Sequence, residues 1–263
     1  MIVIEAGKDS NKRTYERPNF LTFELGQHRV RLLGNPYKIW THYIPGKATI
    51  RCLGSDCPIC QNNKLLKVQN QDAKKLPGYN SPSIRHYFNV LDRTHVKVCP
   101  GCQHENKQPL GMADFSPMCS KCGAMIMGIT PTVSNKVKVI NLSDTNATQL
   151  GVIQSSILDA DGNPIGLENF DIVFMSIPAG DRKNIFPQAD PTANDKVEIP
   201  EEMLYHLDTI VISLDPDEIK SLMSGVALKD IFAARRLETS AEPDINAETL
   251  ADIDSELGKI FNQ

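Results

Sequence analysis

The sequence has no cysteine before Cys52 and none after Cys122. It has a single tryptophan, Trp40, and no apolar run approaching the ~18–20 residues that a helix needs to cross a bilayer. Its opening stretch, MIVIEAGKDSNKR, places a short apolar run before the charges, the reverse order of a secretory signal. The expectation is a cytoplasmic protein, in which thiols stay reduced and no disulfide framework forms. The odd total of seven cysteines agrees, since pairing them would leave one over.

Catalytic signatures are missing as well. There is no G-x-x-x-x-G-K-[ST], no H-E-x-x-H, no G-x-S-x-G and no G-x-G-x-x-G. The zinc deaminase pattern is absent, because His104 and Glu105 are adjacent and Pro100 lies inside its cysteine pair. DADGNPIGLE begins like a calcium loop, but Pro164 stands where glycine is needed and Phe170 where the closing glutamate is needed. No catalytic residue is assigned, and an enzyme is not expected.

The cysteines themselves are arranged for metal. Cys99 and Cys102 form one C-x2-C pair, Cys119 and Cys122 another, and sixteen residues separate the pairs. That spacing suits a zinc ribbon, in which two knuckles give four thiolates to one tetrahedral ion. Pro100-Gly101 and Gly123 supply turn chemistry to the knuckles. Cys52, Cys57 and Cys60 are three further ligands that need a fourth. His42, ten positions before Cys52, is the best candidate, with His95 and His104 as alternatives. Two Zn²⁺ per chain are expected, both structural, because a closed four-ligand shell leaves no open position for substrate or water.

The net charge of −4 conceals an asymmetry. Residues 11–100 hold fifteen Lys/Arg against five Asp/Glu, whereas 101–236 hold eleven against eighteen and 237–263 hold one against seven. Nine of the sixteen aromatic residues fall between Tyr15 and Phe88, within the basic part. Cations that track phosphates and rings that stack on unpaired bases are what a single strand requires. The candidate DNA-binding residues are Arg29, Arg31, Tyr37, Lys38, Trp40, Tyr43, Lys47, Arg51, Arg85, Tyr87, Lys136 and Lys138. Tyr37, Trp40, Tyr43 and Tyr87 are expected at the surface, and Phe20, Phe23 and Phe88 in the core.

Patterning predicts a mainly β, α+β chain. Alternation in LTFELGQHRVRLLG puts Val30 and Leu32 opposite Arg29 and Arg31. PYKIWTHYI reads as a second strand and SIRHYFNVLDR as a third. NKVKVINL is a further strand, with Lys136 and Lys138 opposite Val137 and Val139, and FDIVFMSIP another. A short helix and loop follow the first cysteine cluster, and SSILDADGNPIGL reads as a hairpin with a long turn. LDPDEIKSLMSG is a helix with Asp215 as N-cap, Pro216 at its first position and Gly225 as its stop. The domain expectation is a basic arm over 1–20, a core over 21–236 and an acidic tail over 237–263. Within the core, metal-binding insertions fall at about 42–75 and 97–131. The tail spaces Leu250, Ile253, Leu257 and Ile260 at helical intervals.

RVRLLG, a histidine followed by a cysteine and then C-P-I-C, and HYFNVLDR occur here in one order. In that order the chain resembles the single-stranded-DNA-binding, helix-destabilising proteins of tailed phages, of the T-even replication type, with an added zinc ribbon. The resemblance implies an OB-fold core with C-terminal helices, zinc held by His42, Cys52, Cys57 and Cys60, and a basic aromatic cleft for DNA. It implies binding of single-stranded DNA without strong sequence preference during replication, recombination and repair, in the host-cell cytoplasm. It also implies replication and recombination proteins as partners of the acidic tail. Self-association on DNA would fall to NKRTYE, a loose match to the family's motif. The alternatives are a zinc-ribbon accessory factor of transcription or priming, and a zinc-stapled protein-interaction module.

Overall fold

A computed structural model describes residues 18–69, 72–107, 114–180, 182–190 and 197–239. The arm up to residue 17, and the tail from residue 240, lie outside the described residues. The chain forms two compact units, Met1–Trp40 with Ser83–Val211, and Thr41–Pro82 with Ile212–Gln263.

The first unit is built on an open, mainly antiparallel sheet. Its strands are β1 (Gly26–Ile44, whose residues through Trp40 belong to this unit), β3 (Ser83–Asp92), β7 (Lys136–Ser143), β8 (Asp171–Ala179) and β9 (Arg182–Asp190), in the order β7-β3-β1-β8-β9. The two strands read at RVRLLG and PYKIWTHYI are one continuous strand. It passes the interruption at Gly34 with φ +73°, a conformation that glycine adopts without steric cost. Val30, Leu32, Phe88, Val90, Ile140, Leu142, Ile172 and Phe174 form the core with Phe170 and Leu150. Each such side chain contributes roughly 1.5–3 kcal/mol by leaving water.

Leu150 is carried by α2 (Asp144–Ser156), a helix that patterning missed. Its sequence, DTNATQLGVIQSS, is poor in strong helix formers. Local chemistry starts it all the same, because the Ser143 hydroxyl accepts the Asn146 N–H at 3.3 Å. The SSILDADGNPIGL segment folds back by an isolated bridge between Leu158 and Pro164. The Asp159 carboxylate accepts the N–H groups of Asp161 and Asn163. Strand β9 carries Pro187 and lies at the sheet edge, where proline is tolerated.

A separate three-stranded sheet, β5-β4-β6, belongs to the same unit. It comprises β4 (His95–Val98), β5 (Glu105–Lys107) and β6 (Thr132–Val133). It frames the second cysteine cluster, which packs on buried Ile126.

In the second unit, the end of β1 pairs with β2 (Ala48–Arg51) in the register His42↔Ile50 and Tyr43↔Thr49. Helix α1 (Pro58–Gln69) follows the C-P-I-C motif, and α3 (Pro216–Met223) and α4 (Leu228–Thr239) complete the unit. Ile50, Cys57, Ile59, Leu214, Ile219, Leu222 and Ile231 are its core, so the C-terminal helices share one hydrophobic cluster with the first cysteines. Asp215 caps α3 as expected: its carboxylate accepts from the N–H groups of Asp217 and Glu218, and Glu218 returns a bond to the Asp215 N–H.

Candidate metal centres and nucleic-acid interface

The first candidate centre is assembled from the elements of the second unit. His42 comes from β1; Cys57 immediately precedes α1 and Cys60 lies in its first turn, where Pro58 needs no N–H partner. Cys52 follows β2, and the Gly54 N–H donates to its sulfur at 3.4 Å. The Cys52 and Cys60 sulfurs are 3.6 Å apart, and the His42 Nε2 is 3.4 Å from both Cys57 and Cys60. Four ligands at ~2.3 Å from a tetrahedral ion stand ~3.8 Å from one another, whereas a disulfide would need ~2.05 Å. The spacing is that of a metal cage.

The imidazole is oriented by a second set of bonds. His42 Nδ1 lies 3.2 Å from the Asn80 carbonyl oxygen, so Nδ1–H donates and Nε2 faces the sulfurs. Asn80 is clamped by Asn63, whose side chain both donates to the Asn80 carbonyl at 2.6 Å and accepts its N–H at 3.0 Å. Burial lowers the His42 pKa below 6.5, which favours the neutral ring that a metal needs. Cys60 is pushed up to about 12 by burial and by the neighbouring Cys52 and Cys57 groups. Burial also opposes ionisation of Cys57, but the N–H groups of Cys60, Leu53 and Ile59 outweigh it and bring that thiol down. Crowded thiolates repel one another, and a bound cation would offset that repulsion.

The second centre joins two knuckles in the first unit. Cys99 and Cys122 sulfurs are 3.6 Å apart, and Cys102 and Cys119 are 3.7 Å apart. The knuckles repeat one geometry: Gln103 N–H bonds to the Cys99 carbonyl and Gly123 N–H to the Cys119 carbonyl, at 2.8 and 2.9 Å. The residue after each pair is left-handed, Gln103 at φ 56° and Gly123 at φ 72°. Asn106 supports the cluster, with its amide 3.6 Å from the Cys119 sulfur and its oxygen accepting the Ser120 N–H at 2.8 Å. Burial opposes the Cys119 thiolate, but the Cys122 and Lys121 N–H groups, Asn106 and Cys102 bring it down to about 6. At Cys102 the His104 N–H favours the thiolate; burial and the other three cysteines prevail and push it up to about 12.

Each group of four can therefore hold one metal ion, with all ligand atoms within 4.8 Å of one another. The residue that completes the first group of four is His42. Of the alternatives, His104 bonds to Ser120, and His95 is exposed on β4; neither joins a cluster.

The twelve candidate DNA contacts divide by environment. In the first unit Lys38 and Trp40 lie two residues apart on the exposed side of β1, with Trp40 51% exposed. In the second, Tyr43 is 61% exposed. The β1–β2 register places Tyr43 diagonally across from exposed Arg51, on the face opposite the buried pair His42 and Ile50. Lys47, in the turn, donates to the carbonyls of Leu222 and Val226 at 2.7 and 3.3 Å. Arg85 and Tyr37 are half-buried. Lys136 pairs with Glu105 at 2.9 Å, Lys138 with Asp92 at 2.6 Å, and Arg29 with Asp190 at 2.7 Å.

Two of the twelve require correction. Arg31 is 1% exposed, and its guanidinium engages Asp171, its direct cross-strand partner, through Nε and Nη2, both at 2.7 Å. Strict alternation fails there because β8 supplies a buried carboxylate on the side expected to face water. Tyr87, expected at the surface, is 4% exposed in a cluster with Ile39, Val139 and Val211, where burial raises its pKa. The segment 205–211 closes over that face through Tyr205, Leu207 and Ile210. Phe20 departs in the opposite direction. Expected in the core, it is 44% exposed and stands edge-on to Tyr87 at 6.5 Å. Phe20 is thus an exposed ring adjoining the arm, which sequence reasoning did not place at the surface. No signal in the pattern distinguished it from its neighbour Phe23, which does pack against the core.

The chain matches no model of a known protein family, and no curated protein is similar to it in sequence.

Proposed function

We propose that the chain binds single-stranded DNA without strong sequence preference, in replication, recombination and repair, with two zinc ions as structural staples. The observation that carries this reading is the exposure of Trp40 and Tyr43 beside Lys38 and Arg51, respectively. Large rings are seldom left in water without a use, and a ring beside a cation offers a base a stacking surface and its phosphate a counter-charge. Each stacked base contributes ~1–3 kcal/mol by alanine substitution and tolerates any base identity. Four thiolates at one centre, and three thiolates with an imidazole at the other, suit tetrahedral Zn²⁺. Each set is closed, so the metals would fix geometry and take no part in chemistry. At the first centre the fixed element is the β1–β2 hairpin that presents Tyr43 and Arg51. The antiparallel sheet of the first unit is read as an OB-type core, with Phe20 added to the aromatic contacts and Arg31 and Tyr87 removed from them.

Titration of a labelled oligonucleotide, single- and double-stranded, at two salt concentrations tests the reading. Preference for the single strand, quenching of Trp40 fluorescence and a salt slope of ~0.7 per neutralised phosphate are expected. Equal affinity for duplex would overturn it. The ribbon supports a second role, since Met118, Met125 and Met127 are 48%, 70% and 64% exposed, and methionine surfaces adapt to protein partners.

A further inference from the structure

Helix α1 has two faces of opposite use. Pro58, Ile59 and Asn63 are buried against the second unit, while Leu65 and Val68, three residues apart, are 63% and 88% exposed. The helix contains no acidic residue. Lys64 and Lys67 flank the exposed pair, and Lys74 and Lys75 follow in a turn that packs against the same helix. From Cys57 to Pro82 the only acidic residue is Asp72, which pairs with Lys75 at 3.2 Å. Two exposed aliphatic side chains, with four exposed lysines on the same helix and on the turn packed against it, ask for a ligand with apolar side chains and carboxylates together.

We infer that this face of α1 docks the chain's own acidic C-terminal segment, residues 240–263. That segment lies outside the described residues and carries six Asp/Glu against one Lys. Its Leu250, Ile253, Leu257 and Ile260 recur at spacings of three and four, the pattern of a helix that lays one face on an apolar strip. Reach is sufficient. α1 packs against α3 and α3 against α4, with helix axes ~8–10 Å apart in such contacts. The eleven residues from Thr239 to Leu250 can span up to ~36–40 Å.

Other occupants fit less well. Nucleic acid could use the lysines, but Leu65 and Val68 offer no ring to stack on a base. A second copy of the same face would bring lysines against lysines. Residues 1–17 hold four Lys/Arg against three Asp/Glu, the wrong sign for these lysines. The inference is independent of DNA binding, and its test uses none.

The test is zero-length carbodiimide crosslinking of the full-length, metal-loaded chain, with the joined peptides read by mass spectrometry. Amide links from Lys64, Lys67, Lys74 or Lys75 to carboxylates between Glu242 and Glu256 are expected. The exposed pair Leu65→Ser, Val68→Ser keeps every lysine and should reduce those links at least fivefold without changing the melting temperature. Mixing isotope-labelled with unlabelled chains tells whether the segment comes from the same molecule or a second copy; links within one molecule are expected, and links found only between molecules would overturn the inference. Absence of these links, links only to lysines elsewhere, or links unchanged in the double variant would overturn it.

Discussion

His42 Nδ1 lies 3.2 Å from the Asn80 carbonyl oxygen, and that bond turns Nε2 toward Cys57 and Cys60. The carbonyl is in turn held by the paired hydrogen bonds of Asn63. Supporting residues of this kind typically change metal affinity about 10–100-fold when lost. Asn63→Ala should therefore weaken the metal at the His42 centre by about that factor and leave the ribbon metal unchanged. Chelator competition followed by native mass spectrometry resolves the two sites.

The metal count itself is testable. The native chain should carry two zinc ions, Cys99→Ser one, and Cys57→Ser one, retained at the opposite centre in each case. Thiolate zinc sites contribute ~10–16 kcal/mol in model peptides, so strong chelation should unfold the segments they staple. A native chain with fewer than two metals would remove the closed-site assignment.

Arg31 and Trp40, both named as DNA contacts from sequence, should behave in opposite ways. Arg31→Ala leaves Asp171 buried without its closest partner, and breaking a buried pair costs about 3–5 kcal/mol. Its effect should appear in urea denaturation. Trp40→Ala removes an exposed ring and should leave the denaturation midpoint in place while weakening oligonucleotide binding by ~1–3 kcal/mol. Tyr87→Ala belongs with Arg31, at roughly 3–5 kcal/mol of stability for a buried aromatic.

Burial of Asp92 opposes its ionisation, but the Lys138 ammonium at 2.6 Å and the Thr94 N–H at 3.0 Å prevail and hold its carboxyl below 3.8. A carboxylate lowered on folding stabilises the fold above its unfolded pKa, and that contribution is lost as pH falls through the lower folded value. Asp92→Asn should cost about 1–3 kcal/mol at pH 7. The gap between variant and native should shrink below pH 3.8. Paired denaturation curves at about pH 7, 5 and 3.5 check the sign: a gap that widens on acidification would reverse it.

The sequence by itself determined what depends on near neighbours. The C-x2-C pairs were legible because two knuckle ligands must lie within one tight turn, and the α3 cap because Asp215, Pro216 and Glu218 act within four residues. The sequence favoured His42 among six histidines and placed Val30 and Leu32 inside, but the grouping of His42 with the three cysteines, and the burial of Arg31 and Tyr87, belonged to the tertiary structure. Arg31 is buried because Asp171 sits opposite it, 140 residues further along the chain. Tyr87 is buried because Tyr205, Leu207 and Ile210 return over a face that alternation alone left open. Strand periodicity tells two sides apart, but it does not say whether a distant segment will cover the second one. That depends on long-range contacts whose ion pairs and apolar area repay the loss of chain entropy only once the whole sheet has formed.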